Sequence, residues 1–502
     1  MIAAHLPALQ VVLPLLAAPL CVLLRRPVAA WALALAVSWA ALAIAVALLV
    51  QVLDSGVVSY HLGGWPPPWG IEYRIDLVNA FVLLIVAAIG AVVLPFARAS
   101  VAAEIPAERA YLFYALYLLC LCGLLGITIT GDAFNVFVFL EISSLSSYVL
   151  ISLGRDRRAL TAAFQYLIMG TIGATFYLIG IGLLYAMTGT LNMADLAERI
   201  PAVSDTRTVH AAFAFILVGI GLKAAVFPLH LWLPNAYCYA PSVVTAFLAA
   251  TATKVSVYVL LRILFTLFGA DFAFADLEIV TLLLPLAVFG MLMASTVAIF
   301  QTNVKRLLAY SSVAQIGYMV LGISLATTTG TTAGIVHLFN HAMIKGALFL
   351  ALGCVFLRLD SVELDDMAGL AKRMPWTMAA FVAAGFSLIG LPSTTGFISK
   401  FVLVQAVIED GRWYLALIIL LSSLLALIYV WRVVEVAYFR EPAAKAGTGA
   451  TEVSEAPLAM LLPTWLLVLA NYYFGLDTSV TLGVAGRAAA SLLGAAPLGA
   501  AP

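Results

Sequence analysis

Long apolar runs, separated by short polar or turn-forming segments, make up nearly the whole chain. Counting runs able to cross ~30 Å of hydrocarbon as helices gives about fourteen spans, at 6–24, 28–52, 77–97, 109–130, 133–153, 159–187, 209–227, 241–266, 275–299, 305–326, 329–357, 377–407, 413–438 and 457–475. Between the second and third lies "YHLGGWPPPWGIEYRID", where prolines, glycines and aromatics predict an extended turn or hairpin at the interface rather than a helix. The segment 441–456, "EPAAKAGTGATEVSEA", reads as a polar cytoplasmic loop, and an Ala/Gly-rich tail follows Ala470. The expected division is 1–108 for three helices and the Pro-rich turn, 109–266 and 275–438 for two groups of five helices, and 439–502 for a loop, a final helix and a tail.

Composition turns these spans into an all-α integral membrane protein. Of 502 residues 64% are hydrophobic and only 10% charged, with a mean hydropathy of +1.10. The net charge is zero, so no nucleic-acid partner is expected; the lipid bilayer is the main solvent. Cys21, Cys120, Cys122, Cys238 and Cys354 form no CxxC, CxxCH or Cys/His cluster, so no metal, haem or iron–sulfur cofactor is expected. Neither GxGxxG nor GxxxxGK[ST] occurs, which argues against ATP or NAD binding and against catalytic chemistry in this chain. The first apolar run lacks a basic start and is expected to be a retained helix.

Basic residues orient the spans. Loops after odd-numbered spans hold fourteen Lys and Arg, and loops after even-numbered spans hold six, so the odd loops are assigned to the cytoplasm and both termini to the outside. The remaining five, Lys223, Lys254, Lys345, Lys400 and Arg432, fall within spans. Four of seven lysines are thus in the membrane, against one of eighteen arginines, and Arg432 is near enough to a helix end to snorkel. Both ions are expensive in hydrocarbon. A fixed positive charge is served as well by Arg, whereas a buried Lys can lose and regain a proton. The bias towards Lys fits a protonation relay.

Glu141, in "FVFLEISSLSSYVLISLG", is the one carboxylate placed deep in a span, with Ser144 and Tyr148 on its face. It has two open roles, a structural ion pair between helices or a step in proton transfer, and intramembrane ionisable groups point first to the latter. Lys223 precedes Pro228 and Pro234 in "GIGLKAAVFPLHLWLPNAY", which predicts a helix break just past the lysine. Gly390, Pro392 and Gly396 interrupt the span that carries Lys400. Two interrupted spans, each with a lysine, fit a transporter-like site near mid-membrane. They are the seventh and twelfth; if spans four to eight and nine to thirteen are repeats of five, the odd number inverts one relative to the other.

In "HLFNHAMIK", His337, His341 and Lys345 are four residues apart, which keeps them within an arc of ~80° on one helix face. A stripe of proton-exchanging groups can bridge Lys223, Lys254 and Lys400 by water-mediated hops. Either His alone can also be polar glue between helices. A metal site on the His pair lacks an evident third ligand. Lys254 falls early in the eighth span, and His230, just past the break, is a candidate pathway mouth.

These segments carry a resemblance. "GDAFNVFVFLEISSLSSYVLI", "LKAAVFPLHLWLPNAYCYAPSVVTAFLAATATKVSVYVLLR", "KRLLAYSSVAQIGYMVLGI", "HLFNHAMIKGALFL" and "GLPSTTGFISKF" resemble the antiporter-like, proton-conducting membrane subunits shared by Mrp-type cation/proton antiporters, respiratory complex I and membrane-bound hydrogenases. The likeness covers residues from about 60 to 440. It implies fourteen helices with two inverted five-helix repeats, and a polar axis of Glu141 paired with Lys223, then Lys254, the His337–Lys345 stripe and Lys400. It implies partner membrane subunits, protons and Na⁺ or another monovalent cation as cargo, and the bacterial inner membrane as location. "WPPPWGI" is similar to the corresponding segment of D-type Mrp proteins, the favoured type; the complex I N-like type comes second, and Lys400 stands where M-like members carry Glu. Asn235 and Tyr237 replace the Asp and His of many members, and "LPST" has one Pro where many have two. A redox-pump subunit and a non-conducting scaffold remain the alternatives.

Overall fold

A computed structural model describes residues 2–441 and 454–494, so most of the expected 441–456 loop lies outside the described residues. The chain begins with α1 (Leu6–Leu24) and α2 (Pro27–Ser55). The Pro-rich segment then forms the expected hairpin, β1 (Val58–His61) against β2 (Glu72–Ile75), antiparallel with Val58 opposite Ile75. Asp76 closes it and opens α3 (Leu77–Glu104) with a capping box: its carboxylate accepts Val78 N and Asn79 N, while Asn79 Oδ1 accepts Asp76 N. Next come α4 (Ala110–Ile129), α5 (Ala133–Ser152), α6 (Arg158–Thr188) and the short α7 (Met193–Arg199).

The seventh span is interrupted as expected. Helix α8 (Arg207–Ala224) ends one residue past Lys223, Ala225 turns left-handed at φ 56°, and α9 (Trp232–Tyr239) resumes after the Pro228 segment. Then follow α10 (Ser242–Leu261), α11 (Val280–Ile299), α12 (Val304–Ser324) and α13 (Thr328–Leu359). The twelfth span is two half-helices, α14 (Pro375–Ile389) and α15 (Thr395–Glu409), parted by Gly390 at φ +93° and the Pro392 turn. Helices α16 (Tyr414–Phe439), α17 (Leu458–Leu476) and α18 (Ser479–Leu492) end the described chain.

Thirteen described helices are long and apolar enough to cross a membrane, and the α14/α15 pair supplies one more crossing. Three expectations shift. Lys254 lies past the midpoint of α10, not early in it. The ninth span starts at Val280 rather than 275, because 271–276 wind into a separate wide turn. The expected tail contains α18, whose Ala-rich face (Ala485, Ala488, Ala489) packs fully buried, although its sequence is too weakly apolar to read as a span.

Burial separates two classes of helix. The crossings built on α10 and α12 are each 94% buried, whereas α2 and α16 are 33% buried and leave the rest of their apolar surface exposed. Helices α10, α12 and α13 form the middle of the bundle, and they carry Lys254, Lys345 and both histidines. Close packing positions Lys223 too. A Cβ on Gly219 of α8 would lie 2.6 Å from the Gly173 carbonyl of α6, so only glycine lets these backbones touch.

Candidate functional site

The break after α8 leaves Lys223 in a final helical turn facing α5, where it is 4% exposed. Its Nζ donates to Ser144 Oγ at 2.7 Å and lies 3.7 Å from Glu141 Oε1. Glu141 Oε1 makes no hydrogen bond to any described residue, so the pair is held by charge rather than by a closed contact. A cavity of about 20 Å³ separates Lys223 and Ser144 from Ala252 and Ser256 of α10, enough for one water on the way to that helix.

Lys254 is fully buried; its Nζ donates to the Ala249 carbonyl and, at 3.4 Å, to Thr253 Oγ1. On α13, His337 reaches α15 at Ser399, the residue before Lys400, and Lys345 reaches α12 at Leu308. The imidazoles of His337 and His341 lie nearly parallel, 6.1 Å between centroids. His337 Nδ1 is 2.8 Å from Ser399 Oγ; its Nε2 and both nitrogens of His341 have no hydrogen-bond partner among the described residues. Lys345 donates to the Leu308 carbonyl at 2.8 Å and to Ser311 Oγ.

Lys400 occupies the second break. Reaching back from α15, its Nζ donates to the Leu388 and Ile389 carbonyls at 3.0 and 2.8 Å, the last of α14, and to Ser423 Oγ at 3.1 Å. A cation at a helix C-terminus meets the negative end of the backbone dipoles. The ring of Tyr318 lies 4.9 Å from this nitrogen and 5.4 Å from the His337 ring. The other end of α14 is also gripped: Glu455 accepts Trp376 N at 2.8 Å and Thr377 Oγ1.

The structure therefore sets out a row in which Lys223, Lys254, His337, His341, Lys345 and Lys400 are buried, while Glu141, beside Lys223 at one end, keeps 24% of its side chain exposed. His230 stands apart, enclosed between Phe227 and Tyr310 at ring distances of 5.3 and 6.3 Å. Pro228 and Pro392 sit at the two breaks. Among the described residues no group of three His, Cys, Asp or Glu is arranged to hold a metal. Further buried charges escaped the sequence reading, among them Arg262 paired with Asp76 and Lys305 near Glu104, because helix-end residues count as loop in a hydropathy window.

Residues 130–426 match the family model described as NADH:quinone oxidoreductase/Mrp antiporter, transmembrane. The chain belongs to this family. All seven residues of the row lie inside the family match, and the likeness expected from the motifs is borne out. Among its relatives, the N subunit of the NADH-quinone oxidoreductase of Desulforudis audaxviator is 44% identical over 485 residues, covering 94% of this chain and 96% of the relative. The D subunit of the Na⁺/H⁺ antiporter of Alkalihalophilus pseudofirmus is 32% identical over 400 residues, covering 80% of each. A chain of the Mrp complex from Dietzia sp. superposes with a TM-score of 0.89 at 29% identity, covering 98% of both. As a member of the NADH:quinone oxidoreductase/Mrp antiporter family, the chain is a multi-pass integral membrane protein.

Proposed function

We propose that this chain carries protons through the membrane, as one subunit of a multisubunit complex in the bacterial inner membrane. One observation carries the reading: a row of buried lysines and histidines runs from the Glu141–Lys223 pair, through α10 and α13, to Lys400 at the second helix break. Lysine and histidine can each take up and release a proton when buried, which a fixed arginine cannot. Forming the Glu141–Lys223 pair favours charged Lys223, and parting it frees the proton toward Lys254. His337, bonded to Ser399 next to Lys400, links the halves. The host is a Mrp-type antiporter exchanging Na⁺ or a similar monovalent cation for protons, supported by the Na⁺/H⁺ antiporter relative and the fit to a Mrp complex chain.

A second reading has a specific observation behind it. The 44% identity with an NADH-quinone oxidoreductase chain supports a proton-pumping subunit of a quinone-reducing complex, with the electron chemistry in other chains. Everted vesicles from cells lacking their own antiporters, expressing the whole operon, separate the two. A pH gradient that collapses on adding Na⁺ or K⁺ supports the antiporter; proton uptake driven only by an electron donor supports the redox pump. In either case Lys400→Ala stops transport, and Glu141→Ala and Lys223→Ala slow it. Assembled variants that match wild type in both assays refute the relay.

A further inference from the structure

Outside the row, two more charged side chains are buried at the end of the bundle that bears the basic loops. Glu104 ends α3 at 8% exposure, and Lys305 lies in the first turn of α12 at 3%. Both line a cavity of about 350 Å³, whose lining also includes the exposed Arg155, Arg158 and Asp360. Each has a structural duty. Glu104 accepts Ser242 N at 2.8 Å and Ser242 Oγ at 3.0 Å where α10 begins, and Ser100 Oγ at 2.6 Å. Lys305 donates to the Ala240 carbonyl, at the end of α9, at 3.2 Å, with the Phe356 ring 5.0 Å away. Neither duty requires a water-accessible chamber beside it. The two charges interact, yet no described carboxylate comes within 4.0 Å of Lys305 Nζ. A locked ion pair is not their arrangement.

What lies beyond Lys305 supplies another use. One turn along α12 is Leu308, whose carbonyl holds Lys345 Nζ at 2.8 Å. Three residues advance ~4.5 Å along a helix. Ser311 Oγ and Ser312 Oγ donate to the same carbonyl at 2.9 and 3.1 Å, and Ser311 also receives Lys345. Lys305 thus stands at a chamber large enough for a water cluster, on the helix that holds Lys345; its Nζ lies by Phe356 and that of Lys345 by Phe349, seven residues or ~10 Å apart along α13, a span for a few waters.

We propose that this chamber is a separate proton inlet, in which Glu104 and Lys305 pass protons from cavity water to Lys345 without crossing the Glu141–Lys223 pair. Each step moves a proton alone. A hydronium ion gives its proton to the Glu104 carboxylate and is left as water. The carboxyl O–H breaks as a cavity water takes its proton and gives one of its own to neutral Lys305, forming an N–H. That N–H breaks in the same way through intervening water as one forms on neutral Lys345, which restores Glu104 and Lys305. The inlet rests on the relay proposed above.

The test is proton uptake by the complete complex in everted vesicles, at matched amounts of assembled chain. Glu104→Gln keeps an amide against Ser242, and Lys305→Arg keeps a cation on the Ala240 carbonyl but cannot release a proton. Each is expected to remove the share of uptake that enters here, roughly half if the two inlets carry equal loads. Glu141→Gln is expected to retain a residual uptake that disappears when Lys305→Arg is added. Wild-type uptake by Lys305→Arg makes Lys305 a helix cap and overturns the inlet, as does a Glu141→Gln variant with no residual uptake. If Lys400→Ala stops transport while Glu104→Gln and Lys305→Arg run at the wild-type rate, the inlet is wrong and the relay stands. If Lys400→Ala itself transports normally, the relay fails and the inlet with it.

Discussion

Lys400 offers the sharpest separation of structural and proton-carrying roles. Its ammonium holds two terminal carbonyls of α14 and the Ser423 hydroxyl. Lys400→Met leaves the Leu388 and Ile389 oxygens without this donor. At ~1–3 kcal/mol for each buried polar group left unsatisfied, the carbonyls alone lose about 2–6 kcal/mol. Losing the cation at the helix C-terminus adds ~0.3–1 kcal/mol. Lys400→Arg keeps the charge and the donors, so most of that stability returns. Transport does not return with it, because a guanidinium with a pKa above ~12 is deprotonated in fewer than about one molecule in 10⁴ near neutral pH. Stability is measurable with a thiol-reactive dye during heating, since all five cysteines are free and buried. Uptake is followed in vesicles with a pH dye. The expected pattern is Met unstable and silent, and Arg stable and silent. An arginine variant that transports at the wild-type rate refutes the claim that Lys400 passes protons. A methionine variant as stable as wild type refutes the capping argument.

Other perturbations probe other positions. Glu141→Gln removes an attraction of roughly 4–5 kcal/mol, taken at the 3.7 Å separation and an effective dielectric of ~20, and uptake is expected to fall to the share that enters beside Lys305; an unchanged rate removes the pair from the pathway. His341→Leu breaks no hydrogen bond to a described residue, so the melting temperature is expected to hold while transport stops; lowered stability with normal transport instead identifies structural glue. Gly219→Ala forces α6 and α8 apart and is expected to lower stability by ~1–3 kcal/mol, read from the same dye melt. Arg262→Met strands the Asp76 carboxylate and is expected to destabilise by ~3–5 kcal/mol, with Asp76→Asn partly restoring the double variant.

Much of this arrangement can be read from the sequence, for identifiable reasons. Hydropathy finds the spans because lipid demands about twenty apolar residues from each helix. Pro228, Gly390 and Pro392 mark both breaks because they forbid or release backbone geometry. The lysines stand out because charge is rare in such helices. What stays hidden is tertiary. Lys254, Lys305, Lys345 and Lys400 all take main-chain carbonyls as acceptors, which no side-chain pattern announces. Lys305 and Arg262 sit at span ends, where an enclosed residue and a loop residue look alike in sequence. Helix α18 escapes because alanine is only weakly apolar, and its burial depends on neighbours from distant parts of the chain.

The double hold on α14 joins two places that differ in depth. Glu455 grips its first turn and Lys400 its last carbonyls, on a rod of fifteen residues or ~22 Å. A short helix compresses little along its axis, so a shift at either end displaces the other. Glu455 follows directly on the chain leaving α16 for α17, and Arg358 of α13 donates to its carbonyl. On the proposed relay, loading or unloading the ammonium at the second break would become movement at the protein's edge. A neighbouring polypeptide seated there would feel the protonation state mechanically, without contacting a proton.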